Sequence, residues 1–108
     1  MKKYSFIIFM LISRFLFADH NQHLFEQGNM LYAQDKYEEA IETYKEIRAN
    51  GYESWELYYN LGNAYYKNGD LGKAILNYER AHLLESDNED IKFNLEMANL
   101  MVVDKINK

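Results

Sequence analysis

Apolar residues recur along most of this chain three and four positions apart, the spacing that lines one face of a helix. Tyr58, Leu61 and Tyr65 make one such stripe; Ile91, Leu95, Ala98 and Val102 make another, at steps of four, three and four. Polar residues gather where the stripes break, at Asn50-Gly51, Asn68-Gly69-Asp70 and Ser86-Asp87-Asn88. The pattern predicts five helices, over about 21–33, 37–49, 54–67, 71–85 and 89–106. Asp35 and Glu38 stand at capping-box spacing before the second. Asn50-Gly51 has the composition of a C-cap. Ser54 and Asp70 suit the N-caps of the third and fourth. Asp87 and Glu89 put negative charge where the fifth begins. The chain contains no Pro, which suits nearly continuous helix.

The pattern also repeats. Gly28, Asn29, Tyr32, Ala40, Ile41 and Tyr44 recur 34 residues later as Gly62, Asn63, Tyr66, Ala74, Ile75 and Tyr78. A fixed period of this length marks a solenoid of helical hairpins, stacked so that neighbours bury each other's apolar faces. A glycine inside a helix costs about 1 kcal/mol, so its reuse at one period signals a packing role. Gly62 opposite Ala74, and Gly28 opposite Ala40, would let the two helices of each hairpin approach closely.

The second copy reads Trp55-Glu-Leu-Tyr58-Tyr-Asn-Leu61-Gly62-Asn-Ala-Tyr65, then Ala74-Ile75, Tyr78 and Ala81. It resembles the tetratricopeptide (TPR) family, whose pattern is an aromatic, Leu-Gly, Tyr, then Ala, an aromatic and Ala; Tyr58 takes the family's Trp position. Leu24, Gln27, Gly28, Leu31, Ala40, Tyr44 and Ile47 fill the first copy. The family's closing Pro is replaced by Tyr52 and Ser86. The expected fold is an all-α TPR helical-hairpin solenoid. It has two repeats, about 21–54 and 55–88, and a C-terminal capping helix over about 89–106. The stripe from Ile91 to Val102 should cover the open end of the second repeat. Phe93, Met97, Leu100 and Met101 lie partly off it, facing either a groove or a partner.

Residues 1–18 form a separate segment. Lys2 and Lys3 precede an apolar stretch that Arg14 interrupts and Phe15 to Ala18 resumes. This is the layout of a secretory signal peptide with cleavage after Ala18, or of an N-terminal anchor if uncleaved. The domain would then be 19–108, exported to the periplasm or cell envelope. Membrane association would come only through an uncleaved N-terminal segment. Removing residues 1–18 leaves 9 basic against 17 acidic residues, a formal charge of −8. An acidic surface argues against nucleic acid and against bare anionic lipid.

The sequence contains no Cys, hence no disulfide framework or thiolate metal site. His20 and His23 have helical spacing but no third ligand beside them, so no metal is expected. There is no nucleophile–base–orienter set and no phosphate loop. No cofactor and no enzymatic activity are expected.

In TPR arrays certain first-helix positions line a concave surface. By that resemblance the partner-binding residues are Phe25, Asn29 and Tyr32 from the first copy and Tyr59, Asn60, Asn63, Tyr66 and Lys67 from the second. Phe93, Asn94 and Met97 complete the set from the last helix. Asn can donate to and accept from a bound backbone, and aromatic rings add apolar area at low entropy cost. The other reading of Asn60 and Asn63 is that they brace neighbouring helices. Phe25 and Tyr59 stand where the carboxylate clamp of chaperone-binding TPRs would need Lys, so that mode is not expected.

The run from Leu57 to Ala81, with Asn88 to Leu95 and Val103 to Ile106, resembles the TPR component of bacterial aerotolerance (Bat) operons, the BatE-like proteins. The resemblance covers about residues 24–106. It implies an extracytoplasmic interaction scaffold whose partners include von Willebrand-type domain proteins, alongside an AAA+ ATPase. Many members also carry transmembrane and SH3-like segments, whose functions are not carried over. Two alternatives remain: a periplasmic adaptor of another envelope assembly machine, or a structural module that forms a homo-oligomer through its C-terminal helix.

Overall fold

The computed structural model describes residues 2–107. Five α-helices follow one another: α1 (Lys2–Ala33), α2 (Tyr37–Ala49), α3 (Trp55–Lys67), α4 (Leu71–Leu84) and α5 (Glu89–Ile106). Among the described residues there is no strand. Each helix packs mainly on its neighbours in sequence. Hairpins α1–α2 and α3–α4 are the two repeats, and α5 covers the end of the second, giving the all-α helical-hairpin solenoid that the 34-residue period predicts.

Two helices start on the expected caps, Ser54 and Asp70, and α5 starts on a third, Asn88. The Ser54 hydroxyl accepts from the Leu57 N–H at 3.1 Å, and the Asp70 carboxylate from the Lys73 N–H at 3.2 Å. The Asn88 side chain accepts from the Ile91 N–H at 3.1 Å. Each satisfies a donor that the first turn of a helix leaves unpaired.

At α2 the expectation fails. Lys36 holds the N-cap position and makes no side-chain cap bond. Asp35 instead ends α1, in a left-handed conformation with φ 62°. One period later Gly69 does the same at φ 87°. The backbone bonds also match: Lys36 N–H to Leu31 O and Asp70 N–H to Tyr65 O are both 2.9 Å. The two hairpins therefore share one C-terminal turn, in which the N–H past the left-handed residue reaches back to close the helix.

The other departure is α1. It begins at Lys2 rather than near residue 21 and runs unbroken for 32 residues. Among its described residues the buried ones, Asn21, Leu24 and Gly28, lie in the second half. The Asn21 Oδ1 accepts from Asn50 Nδ2 at 3.0 Å, tying α1 to the end of α2. Ile7, Ile8, Phe9, Met10 and Leu11 are exposed. No helix of the described residues is long and apolar enough to cross a membrane.

The main core cluster spans both hairpins. Leu24, Ala40, Ile41, Tyr44, Ile47, Leu57, Tyr58 and Leu61 form its main body, with Ile91 of α5 joining them. Ala74, Tyr78 and Ala98 form a second, smaller cluster under α5, and the half-buried Tyr59 and Tyr65 pack against both. Ile91 and Ala98 are fully buried and Leu95 and Val102 half-buried, so the stripe covers the second repeat as expected.

The glycines make a contact that the expectation did not include. What Gly62 makes room for is a ring: a Cβ there would lie 2.5 Å from Cδ1 and 2.6 Å from Cε1 of Tyr78. Gly28 meets Tyr44 in the same way, at 2.5 Å from Cε1. The close approach shown is thus glycine backbone against a tyrosine ring, once per repeat.

Candidate functional site

Between α1, α3 and α5 lies an open groove of about 340 Å³, floored in part by α4. Tyr32, Asn63, Tyr66, Lys67, Tyr78, Phe93, Asn94 and Met97 line it. Seven of these residues are the ones expected from the sequence. Tyr78 is the addition, a core residue whose hydroxyl end reaches the groove. Phe25, Asn29, Tyr59 and Asn60 lie outside this lining.

The asparagines are organised by the repeat. The Tyr44 hydroxyl donates to Asn29 Oδ1 at 2.6 Å, and the Asn60 amide donates to the same oxygen at 3.3 Å. One period on, the Tyr78 hydroxyl donates to Asn63 Oδ1 at 2.6 Å and the Asn94 amide joins it at 3.0 Å. Asn94 also donates to the Tyr59 hydroxyl at 3.1 Å. Each set links the two helices of one repeat to the first helix of the next. The bracing role weighed for Asn60 and Asn63 is therefore present. It does not exhaust them: Asn63, which accepts through Oδ1, still has its Nδ2 donor, and Asn60, which donates through Nδ2, still has its Oδ1 acceptor. The spacing was the available signal: Asn29–Tyr44 and Asn63–Tyr78 are both 15 residues apart.

Aromatic packing follows the same period. Phe25 lies on Tyr44 with ring centroids 6.2 Å apart, and Tyr59 on Tyr78 at 6.1 Å. Phe25 also meets Tyr52 edge-on. Phe25 and Tyr59 thus serve as lids on the buried tyrosines. Two cations lie near Tyr58: the guanidiniums of Arg48 and Arg80 are each 5.8 Å from its ring centre. Its hydroxyl donates to Glu53.

Burial pushes the phenols up. Tyr44 rises to about 12, first through desolvation and then through the neighbouring Tyr32. Tyr78 is raised further, again mainly by burial, with Tyr59 and Tyr32 adding to it. Tyr32 is raised by burial, Tyr59 and Asp35. These hydroxyls stay protonated at neutral pH. Those of Tyr44 and Tyr78 serve as hydrogen-bond donors to Asn29 and Asn63.

The groove, the paired hairpins and the repeated glycine–tyrosine contact are the parts of one kind of repeat. The sequence model of the tetratricopeptide repeat family matches residues 11–52 and 25–90. The chain belongs to the tetratricopeptide repeat family. TPR units generally mediate protein–protein interaction, and TPR proteins are generally non-enzymatic scaffolds. No curated protein matches the chain. Among the described residues of this TPR protein, no three His, Cys, Asp or Glu side chains come together as a metal site.

Proposed function

We propose that this TPR protein is a non-enzymatic scaffold of the bacterial cell envelope that holds a segment of a partner polypeptide in the groove between α1, α3 and α5. The observation that carries the reading is the lining itself. Tyr32, Tyr66, Phe93 and Met97 supply apolar walls, while Asn63 and Asn94 supply polar groups at fixed positions. Anchoring side chains in pockets beside fixed backbone contacts is a recurring mode of peptide recognition.

The envelope location rests on the Lys2–Lys3 start and the apolar stretch ending at Ala18. Cleavage there removes no described residue of the core, whose first members are Asn21 and Leu24. The likeness to BatE-like proteins supports an aerotolerance-type complex with von Willebrand-type domain partners. Co-purification of the tagged protein from its host's envelope tests both parts. The expected result is a von Willebrand-domain partner that is lost in the Tyr66→Ser, Phe93→Ser double variant while helical circular dichroism is kept. A partner from an outer-membrane assembly machine would replace the aerotolerance reading with the adaptor reading. Retention of the partner by the double variant would overturn the groove.

One observation favours self-association instead. Leu100, Val103 and Ile106 of α5 are 56%, 53% and 76% exposed, which leaves apolar area on the last helix beyond the groove. A dimer that Leu100→Glu with Val103→Glu converts to a monomer would establish that role for α5.

A further inference from the structure

The groove is electrostatically unlike the rest of the molecule. The chain carries 17 acidic and 12 basic residues, yet no Asp or Glu lines the groove. Its one ionisable cation is Lys67, exposed at the end of α3. Three other lysines pair with a carboxylate one turn away: Lys45 with Glu42, Lys73 with Asp70 and Lys92 with Glu89. Lys67 makes no ion pair among the described residues. Asp70 stands three residues on from Lys67, but its carboxylate is engaged by Lys73 and by the α4 N-terminus.

The polar floor has the same sense. Asn63 Oδ1 already accepts from both Tyr78 and Asn94. Tyr78 and Asn94 therefore act as positioning residues, and what Asn63 has left for a ligand is its Nδ2 donor. A lysine ammonium and an amide N–H both seek acceptors. Beside them, Phe93 is 63% and Met97 41% exposed, apolar area with nothing over it in the free chain.

We propose that the groove selects a partner segment placing an Asp or Glu side chain next to an apolar one. The carboxylate meets Lys67, the apolar side chain lies on Phe93 and Met97, and a backbone carbonyl takes the Asn63 amide. This rests on the groove being the binding surface. Charge complementarity identifies the occupant, because an exposed cation facing a partner sets specificity and association rate more than affinity.

The test uses three sets of N-acetylated, C-terminally amidated peptides with one central Leu-Phe pair, flanked by Asp/Glu, by Asn/Gln or by Lys. Side-chain carboxylates are then the only anions present. Binding to the purified full chain is measured by fluorescence anisotropy. The acidic set should bind up to about fivefold more tightly than the neutral set, the upper end of what one exposed ion pair contributes. Lys67→Gln should erase that preference and Lys67→Glu should turn it toward the Lys set, both with unchanged circular dichroism. Raising the salt should shrink the preference in the parent. Equal binding of the three sets, abolished by the Tyr66→Ser, Phe93→Ser variant, would overturn the carboxylate inference and leave the groove reading intact. An acidic preference that survives Lys67→Glu would likewise overturn it. Failure of every set to bind would overturn both.

Discussion

The ring of Tyr78 fills the space that a Cβ on Gly62 would occupy, with Cδ1 2.5 Å away. A methyl group cannot share that volume, so Gly62→Ala must push the ring and its hydrogen bond to Asn63 aside. Alanine gains about 1 kcal/mol of helix propensity, but overpacking typically costs about 1–3 kcal/mol, and here it also breaks a hydrogen bond. The net effect should be destabilising, visible as a lower urea midpoint. Gly62→Leu should be worse. Combining Gly62→Ala with Tyr78→Ala should cost less than the sum of the two, the mark of residues in direct contact.

Tyr78→Phe isolates the hydroxyl. The ring still fills the Gly62 slot, and Asn63 Oδ1 keeps its bond from Asn94 at 3.0 Å. The expected loss is about 0.5–1.5 kcal/mol, one hydrogen bond's net worth, with an unchanged m-value. The same change at Tyr44 leaves Asn29 Oδ1 with a longer bond of 3.3 Å from Asn60. Tyr44→Phe should therefore cost slightly more per hydroxyl removed.

The raised phenols make the fold sensitive to alkali. A tyrosine that ionises at 10.0 when unfolded but near 12 when folded holds its proton longer in the native state. The unfolded chain then binds fewer protons above pH 10, and stability falls as pH rises. Tyr44 contributes fully below pH 10 and its share is lost between pH 10 and about 12; Tyr78 acts in the same direction. Thermal melts should be flat from neutral pH to about 9 and decline beyond it. Tyr44→Phe should flatten that decline.

Much of this architecture was legible in the sequence. Gly28/Gly62, Ala40/Ala74 and Tyr44/Tyr78 announce the hairpins, and the Ile91–Val102 stripe announces how α5 docks. Seven residues of the groove lining are among the first-helix positions that the TPR resemblance implied. Two things were not legible. The role of Gly62 depends on a residue 16 positions away, and periodicity shows that both recur without showing that they touch. The turn at Asp35 was misread because an acidic residue three before Glu38 fits a capping box. Only the register of Gly69, one period on, reveals it as the end of α1.

That turn yields another prediction. Asp35 adopts φ 62°, a conformation that the equivalent Gly69 enters without a side-chain penalty. The left-handed region costs a residue with a Cβ about 1 kcal/mol relative to glycine. Its carboxylate does accept from the Tyr37 hydroxyl at 2.8 Å, but in an exposed setting. Asp35→Gly should raise the melting temperature by a few degrees, in proportion to roughly 1 kcal/mol in a domain of this size. A fall in Tm would mean that the Asp35–Tyr37 contact outweighs the backbone strain.

The first half of α1 can be separated from the repeats by the same logic of burial. Ile7, Ile8, Phe9, Met10 and Leu11 are all exposed, and among the described side chains of α1 the first buried ones are Asn21 and Leu24. Deleting residues 1–18 should therefore leave the urea midpoint of the repeats unchanged within about 0.5 kcal/mol, as for changes away from any packed feature. It should also change behaviour in solution. Exposed apolar side chains on one helix favour association or lipid contact, so the full chain should elute as larger species or bind vesicles, and the shortened chain should not. If export follows the proposal, the protein recovered from its host begins at Asp19, which intact-mass spectrometry reads directly. A recovered chain that keeps Met1 and fractionates with the membrane would assign residues 1–18 to an anchor. A chain that keeps Met1 in the cytosol would remove the envelope from the proposal and leave the groove to be judged by its peptides.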